Sequence, residues 1–465
     1  MKNKYYALLL ILSLTFINCK EEKQKDFLVI SGKVENFKQR KIKISGYNFS
    51  KNIRFHKKSK TFVDTLRNFK EGHYALQINK RIVNMYLSSF DDLNLIVDAK
   101  KRIKDPIFKG QNETINNYLT KKIKKHSFIL GGAEKLFSLD ENEFLSKMDK
   151  YKSSLEDLAK KSNLPSNYLQ KEKRNIYYEF VRNIKNYQPY HRMLYGNNRF
   201  VVSKYYPSDL IEEIDINKSE DYINSLSYRL LVKELLEKKA NDRKSKKRDF
   251  NLAYLETIHV EVSDTLVKND LLHNAAKEII HRVDNLKEYY RKYMLYSTSE
   301  NNKKEITNIY NKLKLTAKGE NSPKFNNLDN YNGGKTSLND LIGNGKYKYI
   351  DIWATWCGIC KKETPLLKRL EQKYHDQNIE FISISVDKRE DKKKWETIIE
   401  DRELGGIQLF AGETKEDFQF TKDYLIKGLP RFILIDPDGK IISANAPRPS
   451  NHKKLEELFT ELNIK

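Results

Sequence analysis

The chain has 465 residues, of which 39% are hydrophobic and 11% aromatic, so it is long enough for two or three domains and is not an intrinsically disordered chain. Its net charge of +24 comes from basic residues spread along the whole length without a recognisable nucleic-acid-binding module, so no nucleic-acid partner is predicted. The three cysteines, Cys19, Cys357 and Cys360, are too few and too unevenly placed for a protein held together by structural disulfides.

The first residues have the pattern of a secretory signal peptide. Lys2 and Lys4 precede an apolar stretch over residues 5–17 that is too short to span a bilayer comfortably. This stretch ends at Asn18 and Cys19, and a cysteine at that place resembles the lipidation site of bacterial lipoproteins. The resemblance implies a signal peptide over residues 1–18 and a lipid on Cys19 that anchors the protein to a membrane of the cell envelope, on the outer-membrane or periplasmic face or at the cell surface. An ordinary cleaved signal peptide, in which Cys19 has no role, is the alternative.

Residues 26–108 consist of short apolar runs that alternate with polar residues, as at 42–44 and 73–78. Gly, Asn and Asp separate these runs, which predicts a small antiparallel β-sandwich. From residue 110 to residue 315 the apolar period becomes helical. One predicted helix face contains Phe144, Met148, Tyr151, Leu155, Leu158 and Ala159. A polar segment at 317–324 marks the start of a third domain at 322–465, so the fold class is multidomain: β-rich, then α-helical, then α/β.

Two Glu-x-x-His motifs occur in the helical region, at Glu256 and His259 and at Glu278 and His281. Paired motifs of this kind resemble di-iron carboxylate bundles, which also need two further glutamates that face inward. Those glutamates cannot be identified, and helices rich in Glu produce this spacing by chance. Neither a metal site nor a cofactor is predicted.

Cys357 and Cys360 form the most informative motif of the chain. A strand pattern at 347–353 comes before them, and a helical pattern at 361–373 follows. A cysteine at a helix N terminus is stabilised as the thiolate by unpaired backbone N–H groups and by the helix dipole. The spacing places Cys360 one turn further on, close enough to attack a mixed disulfide on Cys357. The pattern therefore predicts a redox pair with Cys357 as nucleophile and Cys360 as resolving thiol.

The segment W-A-T-W-C-G-I-C-K-K-E-T-P, at 353–365, resembles the active-site segment of the thioredoxin superfamily, most closely that of its extracytoplasmic TlpA/ResA-like branch. The resemblance covers residues 322–465 and implies a thioredoxin fold there. Residues 392–409 match the helix and strand that this branch inserts, and residues 427–430 match the loop that carries the family's cis-proline, here Pro430.

The resemblance also implies roles for single residues. Asp351 matches the buried carboxylate of thioredoxins, which implies a raised pKa and a base that accepts the Cys360 proton. Trp356, Leu429 and Pro430 are the implied substrate-binding residues: Trp356 shapes the surface, and the backbone of Leu429 can pair with a substrate strand. Two departures are Ile359, where proline is common, and Asp351, where this branch often has asparagine.

These observations predict an extracytoplasmic thiol–disulfide reductase. The Gly358-Ile359 pair lacks the histidine with which oxidising family members stabilise the thiolate, which favours the reducing direction. The implied partners are exported proteins with disulfides, including apo-cytochrome c, and a membrane thiol–disulfide electron donor. A disulfide isomerase that self-associates is one alternative. A surface-binding lipoprotein, whose first 315 residues hold a ligand and whose redox module is accessory, is the other.

Overall fold

The computed structural model describes residues 27–37, 41–88, 92–100, 105–110, 112–243, 249–283 and 285–464. The predicted signal peptide and Cys19 lie outside these residues. The chain divides into two compact units, one of Met1–Ile214 with Glu220–Val232 and one of Asp215–Ser219 with Lys233–Lys465. Among the described helices, none combines the length and the apolar composition that a bilayer crossing needs.

The first unit begins with eight strands. They are β1 (Phe27–Glu35), β2 (Lys41–Gly46), β3 (Phe49–His56), β4 (Thr61–Arg67), β5 (Gly72–Ile78), β6 (Arg81–Leu87), β7 (Leu93–Asp98) and β8 (Ile107–Lys109). Hydrogen bonds join them in one sheet of order β6-β5-β2-β3-β4-β1-β7-β8. Every neighbouring pair is antiparallel except β1 and β7, which run parallel.

Strand β3 connects the two halves of this sheet. Its residues 49–54 pair with β2, and its residues 55–56 pair with β4. Apolar side chains from both halves, such as Ile44 and Leu95, are buried in one cluster. The predicted β-rich domain is therefore confirmed. It takes the form of one continuous sheet with a parallel pair, because pairing between strands far apart in the chain depends on tertiary contacts that the local period does not encode.

The predicted helical region contains ten α-helices among the described residues. They are α1 (Glu113–Leu130), α2 (Ala133–Phe137), α3 (Glu141–Lys160), α4 (Ser166–Tyr195), α5 (Ser219–Asn224), α6 (Leu226–Arg243), α7 (Phe250–Glu261), α8 (Thr265–Ile279), α9 (Leu286–Tyr296) and α10 (Glu300–Leu313). Helix α3 contains the apolar face that the helical period predicts. Asp140 caps it by accepting a hydrogen bond from the Glu143 N–H. Five of its six predicted face residues are fully buried, and Leu158 is half-buried.

A buried ion network joins α1, α3 and α4 in the first unit. The Lys122 ammonium lies 2.7 Å from Glu172 and 2.8 Å from Glu179. Tyr118 donates a hydrogen bond to Glu172, and Tyr151 donates one to Glu179. Burial by itself lowers the pKa of Lys122, but the two carboxylates outweigh it and raise that pKa. The network fixes how these three helices pack, because each buried charge depends on its partner.

The end of the second unit is an α/β domain. Its strands are β9 (Leu328–Asn330), β10 (Lys335–Thr336), β11 (Tyr347–Trp353), β12 (Ile379–Ser385), β13 (Ile407–Phe410), β14 (Arg431–Ile435) and β15 (Ile441–Ser443), and its helices are α11 (Gly358–Lys373), α12 (Lys392–Arg402), α13 (Gln419–Asp423) and α14 (His452–Glu461). The sheet order is β10-β9-β13-β12-β11-β14-β15. The β11, β12 and β13 strands are parallel, and β14 is antiparallel to β11. The predicted inserted helix and strand are α12 and β13.

The central strand β11 divides two cores. Ile350 and Ile352 point into a cluster that includes residues of α12 and α13. Tyr349 points to the opposite cluster, which includes residues of α11 and α14. Because side chains alternate along a strand, Asp351 lies on the same face as Tyr349. The fold thereby places a carboxyl group beneath the helix that carries the cysteines.

Candidate redox site

Cys357 and Cys360 are joined in a disulfide at the N terminus of α11, with an S–S distance of 2.01 Å. Cys357 is the N-cap residue of that helix, and its Sγ accepts a hydrogen bond of 3.1 Å from the Cys360 N–H. Both side chains are largely buried, and Cys357 is the more exposed of the two, at 6% against 2%. A backbone donor aimed at the Cys357 sulfur stabilises negative charge there, which is what a nucleophilic thiolate needs.

A buried carboxylate accepts hydrogen bonds from the turn that precedes the disulfide. Asp387, which is fully buried, accepts hydrogen bonds from the Thr355 N–H at 2.8 Å and from the Thr355 hydroxyl at 2.9 Å. The Ser385 hydroxyl donates a further hydrogen bond to Asp387 at 2.7 Å. This network connects the end of β12 to the residues that lead into Cys357. Sequence reasoning missed Asp387 because its role depends on the parallel register of β11 and β12.

The Leu429–Pro430 peptide bond is cis, which confirms the expectation drawn from the loop sequence. Pro430 is buried, and Leu429 is half-buried against the cluster that contains both cysteines. The next residue, Arg431, is 3% exposed and donates hydrogen bonds to the carbonyl oxygens of His281 and Ala444. A substrate-binding role for Leu429 and Pro430 remains a prediction.

Two large apolar side chains are exposed beside the disulfide. Trp356 is 60% exposed and Ile359 is 53% exposed, whereas Trp353 is buried. The expected surface position of Trp356 is therefore confirmed. Exposed apolar side chains next to a reactive group provide contacts for a polypeptide that must reach it.

Asp351 is buried, and its Oδ1 has no hydrogen-bond partner among the described residues. Burial, followed by the charge of Glu363, raises the pKa of Asp351 to about 8. Glu363 is also buried, on α11, and accepts hydrogen bonds from the Ser450 N–H at 3.0 Å and the Ser450 hydroxyl at 2.7 Å. Sequence reasoning missed Glu363. Its spacing of three residues from Cys360 was the available signal, because such residues share a helix face.

A cavity of about 20 Å³ lies beside Asp351 and is also lined by Trp353, Glu371 and Gln408. The Trp353 Nε1 and the Gln408 Oε1 have no hydrogen-bond partner among the described residues. The space is large enough for one water molecule, and these polar atoms are suitable partners for it. Burial also raises the pKa of Glu371. The carboxyl groups of Asp351 and Glu371 therefore line the same small cavity.

The Glu-x-x-His motifs make other contacts. Glu256 accepts a hydrogen bond from Lys292 at 2.8 Å, and the His259 ring stacks on Tyr296 with 4.1 Å between ring centroids. His281 lies in a short 3₁₀ turn after α8 has ended. Within the described part of the chain, no three His, Cys, Asp or Glu side chains are grouped so that they could hold a metal ion.

Sequence comparison identifies relatives of the region that contains the disulfide. Residues 344–441 match a family model described as thioredoxin-like. A thiol-disulfide oxidoreductase ResA of Bacillus cereus is 31% identical over 124 residues, which is 27% of this chain and 66% of ResA. ResA of Bacillus subtilis (strain 168) is 29% identical over 126 residues, 27% of this chain and 65% of that protein. The chain thus spans just under two thirds of the length of these relatives.

Solved structures give similar matches. A candidate thiol-disulfide oxidoreductase from Bacteroides vulgatus is 51% identical, with 30% of this chain and 87% of that chain covered and a TM-score of 0.27. A thiol-disulfide oxidoreductase from Bacteroides fragilis NCTC 9343 is 31% identical, with 30% and 99% covered and a TM-score of 0.27. Each of these similarities covers less than a third of this chain.

Proposed function

Because the C-terminal region of this chain is a TlpA/ResA-like domain of the thioredoxin superfamily, we propose that the protein is a thiol–disulfide oxidoreductase that reduces disulfides of other proteins. The observation that carries this proposal is the Cys357–Cys360 pair at the start of α11, with a backbone N–H directed at the Cys357 sulfur. The exposed Trp356 and Ile359 beside it offer a docking surface for a substrate polypeptide.

The reaction transfers two electrons through a mixed disulfide. The Cys357 thiolate attacks one sulfur of the substrate disulfide, a bond forms between the two sulfurs, and the other substrate sulfur leaves as a thiolate. The Cys360 thiol then loses its proton and attacks the Cys357 sulfur, which releases the second substrate thiolate. The enzyme is left with the Cys357–Cys360 disulfide. A dithiol donor reverses these steps and returns the two electrons.

Asp351 has the properties of the group that exchanges a proton with Cys360. Its pKa of about 8 is close to the ordinary pKa of a cysteine thiol, about 8.5, so proton transfer between them is nearly balanced in energy. As a carboxylate it accepts the Cys360 proton during resolution. As a carboxylic acid it returns that proton when a donor opens the disulfide. The neighbouring cavity, which Glu371 also lines, has room for one water molecule beside Asp351.

We assign the substrate contacts to Trp356, Leu429 and Pro430. Leu429 immediately precedes the cis peptide bond and packs beside the cysteines, so its backbone is available to an extended substrate strand. A reducing direction is supported by the Gly358-Ile359 pair, which supplies no cation to stabilise the thiolate.

We place the protein in the cell envelope, anchored by a lipid on Cys19, with exported proteins as substrates and a membrane thiol–disulfide protein as electron donor. The support is the apolar stretch that ends at Cys19. Because the chain has only three cysteines, a cysteine at the end of such a stretch is unexpected by chance.

The two cysteines have separable roles, and insulin reduction by the full chain tests them. Cys357→Ser should abolish the activity, because the first attack needs that sulfur. Cys360→Ser should keep the first attack but accumulate a mixed disulfide through Cys357, visible by mass spectrometry and reversed by dithiothreitol. Full activity of Cys357→Ser would refute the mechanism.

The same variants distinguish a reductase from an isomerase. An isomerase rearranges substrate disulfides through its nucleophile alone, so Cys360→Ser should then retain refolding activity on scrambled ribonuclease. A reductase should lose net reduction and gain no such activity. Retention of isomerase activity at the wild-type level would replace the reductase assignment with the isomerase.

A further inference from the structure

A large cavity lies in the second unit, and the two cysteines do not line it. Its volume is about 1000 Å³, and it is lined on one side by residues within 280–318 and on the other by residues within 442–461. Cys357, Cys360 and Pro430 do not line it. A cavity of this size can hold a small organic molecule.

The lining of this cavity is strongly basic. Its five cationic side chains are those of Arg282, Lys287, Lys318, Arg448 and Lys454. Only Glu457 and Glu461 contribute carboxylates to the lining. None of the five cations forms an ion pair with a carboxylate in the described parts of the chain. The excess positive charge is therefore not neutralised by the surrounding described side chains, and it favours an anionic occupant.

A buried arginine adds to this positive field. Arg431 donates hydrogen bonds to the carbonyl oxygens of His281 and Ala444, and both of those residues line the cavity. Burial, followed by the charges of Arg282 and Arg448, lowers the pKa of Arg431 to about 10. Arg431 nevertheless stays charged at neutral pH, so a cation lies directly behind the cavity wall.

His281 supplies an unused hydrogen-bonding group at the same place. It is 9% exposed, it lines the cavity, and its Nδ1 has no hydrogen-bond partner among the residues that the structure describes. Burial and the nearby arginines lower the pKa of His281 to about 3, so the ring is neutral at pH 7. A neutral imidazole adds a polar group to the cavity wall and no positive charge.

We propose that this cavity binds a small molecule that carries several phosphate or carboxylate groups. Arg282 and Arg448 provide the planar donor pairs that recognise both groups, and the lysines provide further charge. Leu286, Pro447 and Leu458 provide apolar contacts for the remainder of the molecule. This binding site is separate from the redox chemistry and goes beyond the proposed function.

Two adjacent lysines of α14 allow a matched test. Lys454 lines the cavity, whereas Lys453, also exposed, does not. Binding of inorganic pyrophosphate and of citrate to the full chain is measured by isothermal titration calorimetry. The two probes separate phosphate from carboxylate recognition. Arg448→Gln and Lys454→Glu should weaken binding of the preferred probe by about tenfold or more, as expected for the loss of a charge-assisted hydrogen bond. Lys453→Glu should change it less than about twofold.

Because the protein is basic overall, the Lys453→Glu control is needed to separate binding in the cavity from general attraction of anions. If Lys453→Glu weakens binding as much as Lys454→Glu, the anions respond only to the general charge of the protein, and the site is refuted. Binding of both probes weaker than about 1 mM Kd to the wild-type chain also refutes it. Unchanged circular dichroism of the three variants shows that the comparison is made on folded protein. Weaker binding by Arg448→Gln and Lys454→Glu, with nearly unchanged binding by Lys453→Glu, supports the proposal.

Discussion

The charge of Glu363 on α11 adds to burial in raising the pKa of Asp351 on β11, and together they bring it to about 8. The negative charge of Glu363 opposes ionisation of Asp351, because like charges repel each other. Asp351 is therefore protonated in most molecules at pH 7. In the proposed mechanism, Asp351 donates a proton to Cys360 when the disulfide opens and, as a carboxylate, accepts one during resolution.

Glu363→Gln should lower the pKa of Asp351, because it removes the repelling charge and keeps the side-chain volume. The measurement is carbon-13 NMR of protein labelled at the aspartate carboxyl carbon, in which the signal missing from Asp351→Asn identifies Asp351. The pH at which the resolution step reaches half its maximal rate should move downward with that pKa.

Glu371→Gln is the matched control for this change. Glu371 lies on the same helix as Glu363 and lines the cavity beside Asp351, but it is not among the causes of the raised pKa of Asp351. If Glu371→Gln shifts the Asp351 titration as much as Glu363→Gln does, the coupling between Asp351 and Glu363 is not specific.

Asp351→Asn should stabilise the second unit at neutral pH. The folded protein holds a proton on Asp351 up to about pH 8, whereas an unfolded aspartate releases it near pH 4. Between these values the folded state binds more protons than the unfolded state, so the wild-type free energy of unfolding falls as pH rises, by about 1.4 kcal/mol per pH unit from this group.

The three tryptophans of the chain, Trp353, Trp356 and Trp395, all lie in the second unit, so their fluorescence reports its urea unfolding. The difference in unfolding free energy between Asp351→Asn and wild type should grow from pH 5 to pH 8 in favour of the variant. A difference that stays constant with pH would show that Asp351 titrates normally.

The redox pair and its helix could be predicted from sequence because their signal is local. Only two residues separate Cys357 from Cys360, and a strand pattern and a helical pattern adjoin them directly. Asp351 and Trp356 lie in the same short segment. Their burial and exposure follow from the alternation of one strand and from the start of one helix.

Glu363, Asp387 and the basic cavity could not be found in the same way. Glu363 matters because its charge raises the pKa of Asp351, which lies on a different element. Asp387 matters because it accepts a hydrogen bond from Thr355, which follows the neighbouring strand β11. The cavity combines residues near 280 with residues near 450. Such groups come together only through tertiary packing, which a local period does not specify.

Cys19→Ala should abolish lipid attachment and release the protein from the membrane fraction. The apolar stretch at 5–17 is followed by Asn18 and Cys19, and the Cys19 thiol is the group on which we propose the lipid. Metabolic labelling with a clickable fatty acid should mark the wild-type protein and not the variant. Cys360→Ser is the control, since it removes a different cysteine and should label normally. Equal labelling of Cys19→Ala and wild type would exclude lipidation at this position.

Lys122→Met should strongly destabilise the first unit. Lys122 on α1 neutralises Glu172, whose side chain is fully buried, and loss of one partner leaves a charge uncompensated inside the protein. Breaking such a pair costs about 3–5 kcal/mol. The unfolding free energy is measured by far-ultraviolet circular dichroism in urea, because no tryptophan lies in this unit.

Lys124→Met provides the matched control on the same helix. Lys124 pairs with Asp105 at 2.7 Å, but both side chains are about half exposed, at 56% and 46%. An exposed pair contributes about 0–1 kcal/mol, so Lys124→Met should have little effect. The double variant Lys122→Met/Glu172→Gln should recover part of the lost stability, because it removes the stranded charge. If the single and double Lys122 variants are equally unstable, the loss comes from packing around Lys122 and not from the uncompensated carboxylate.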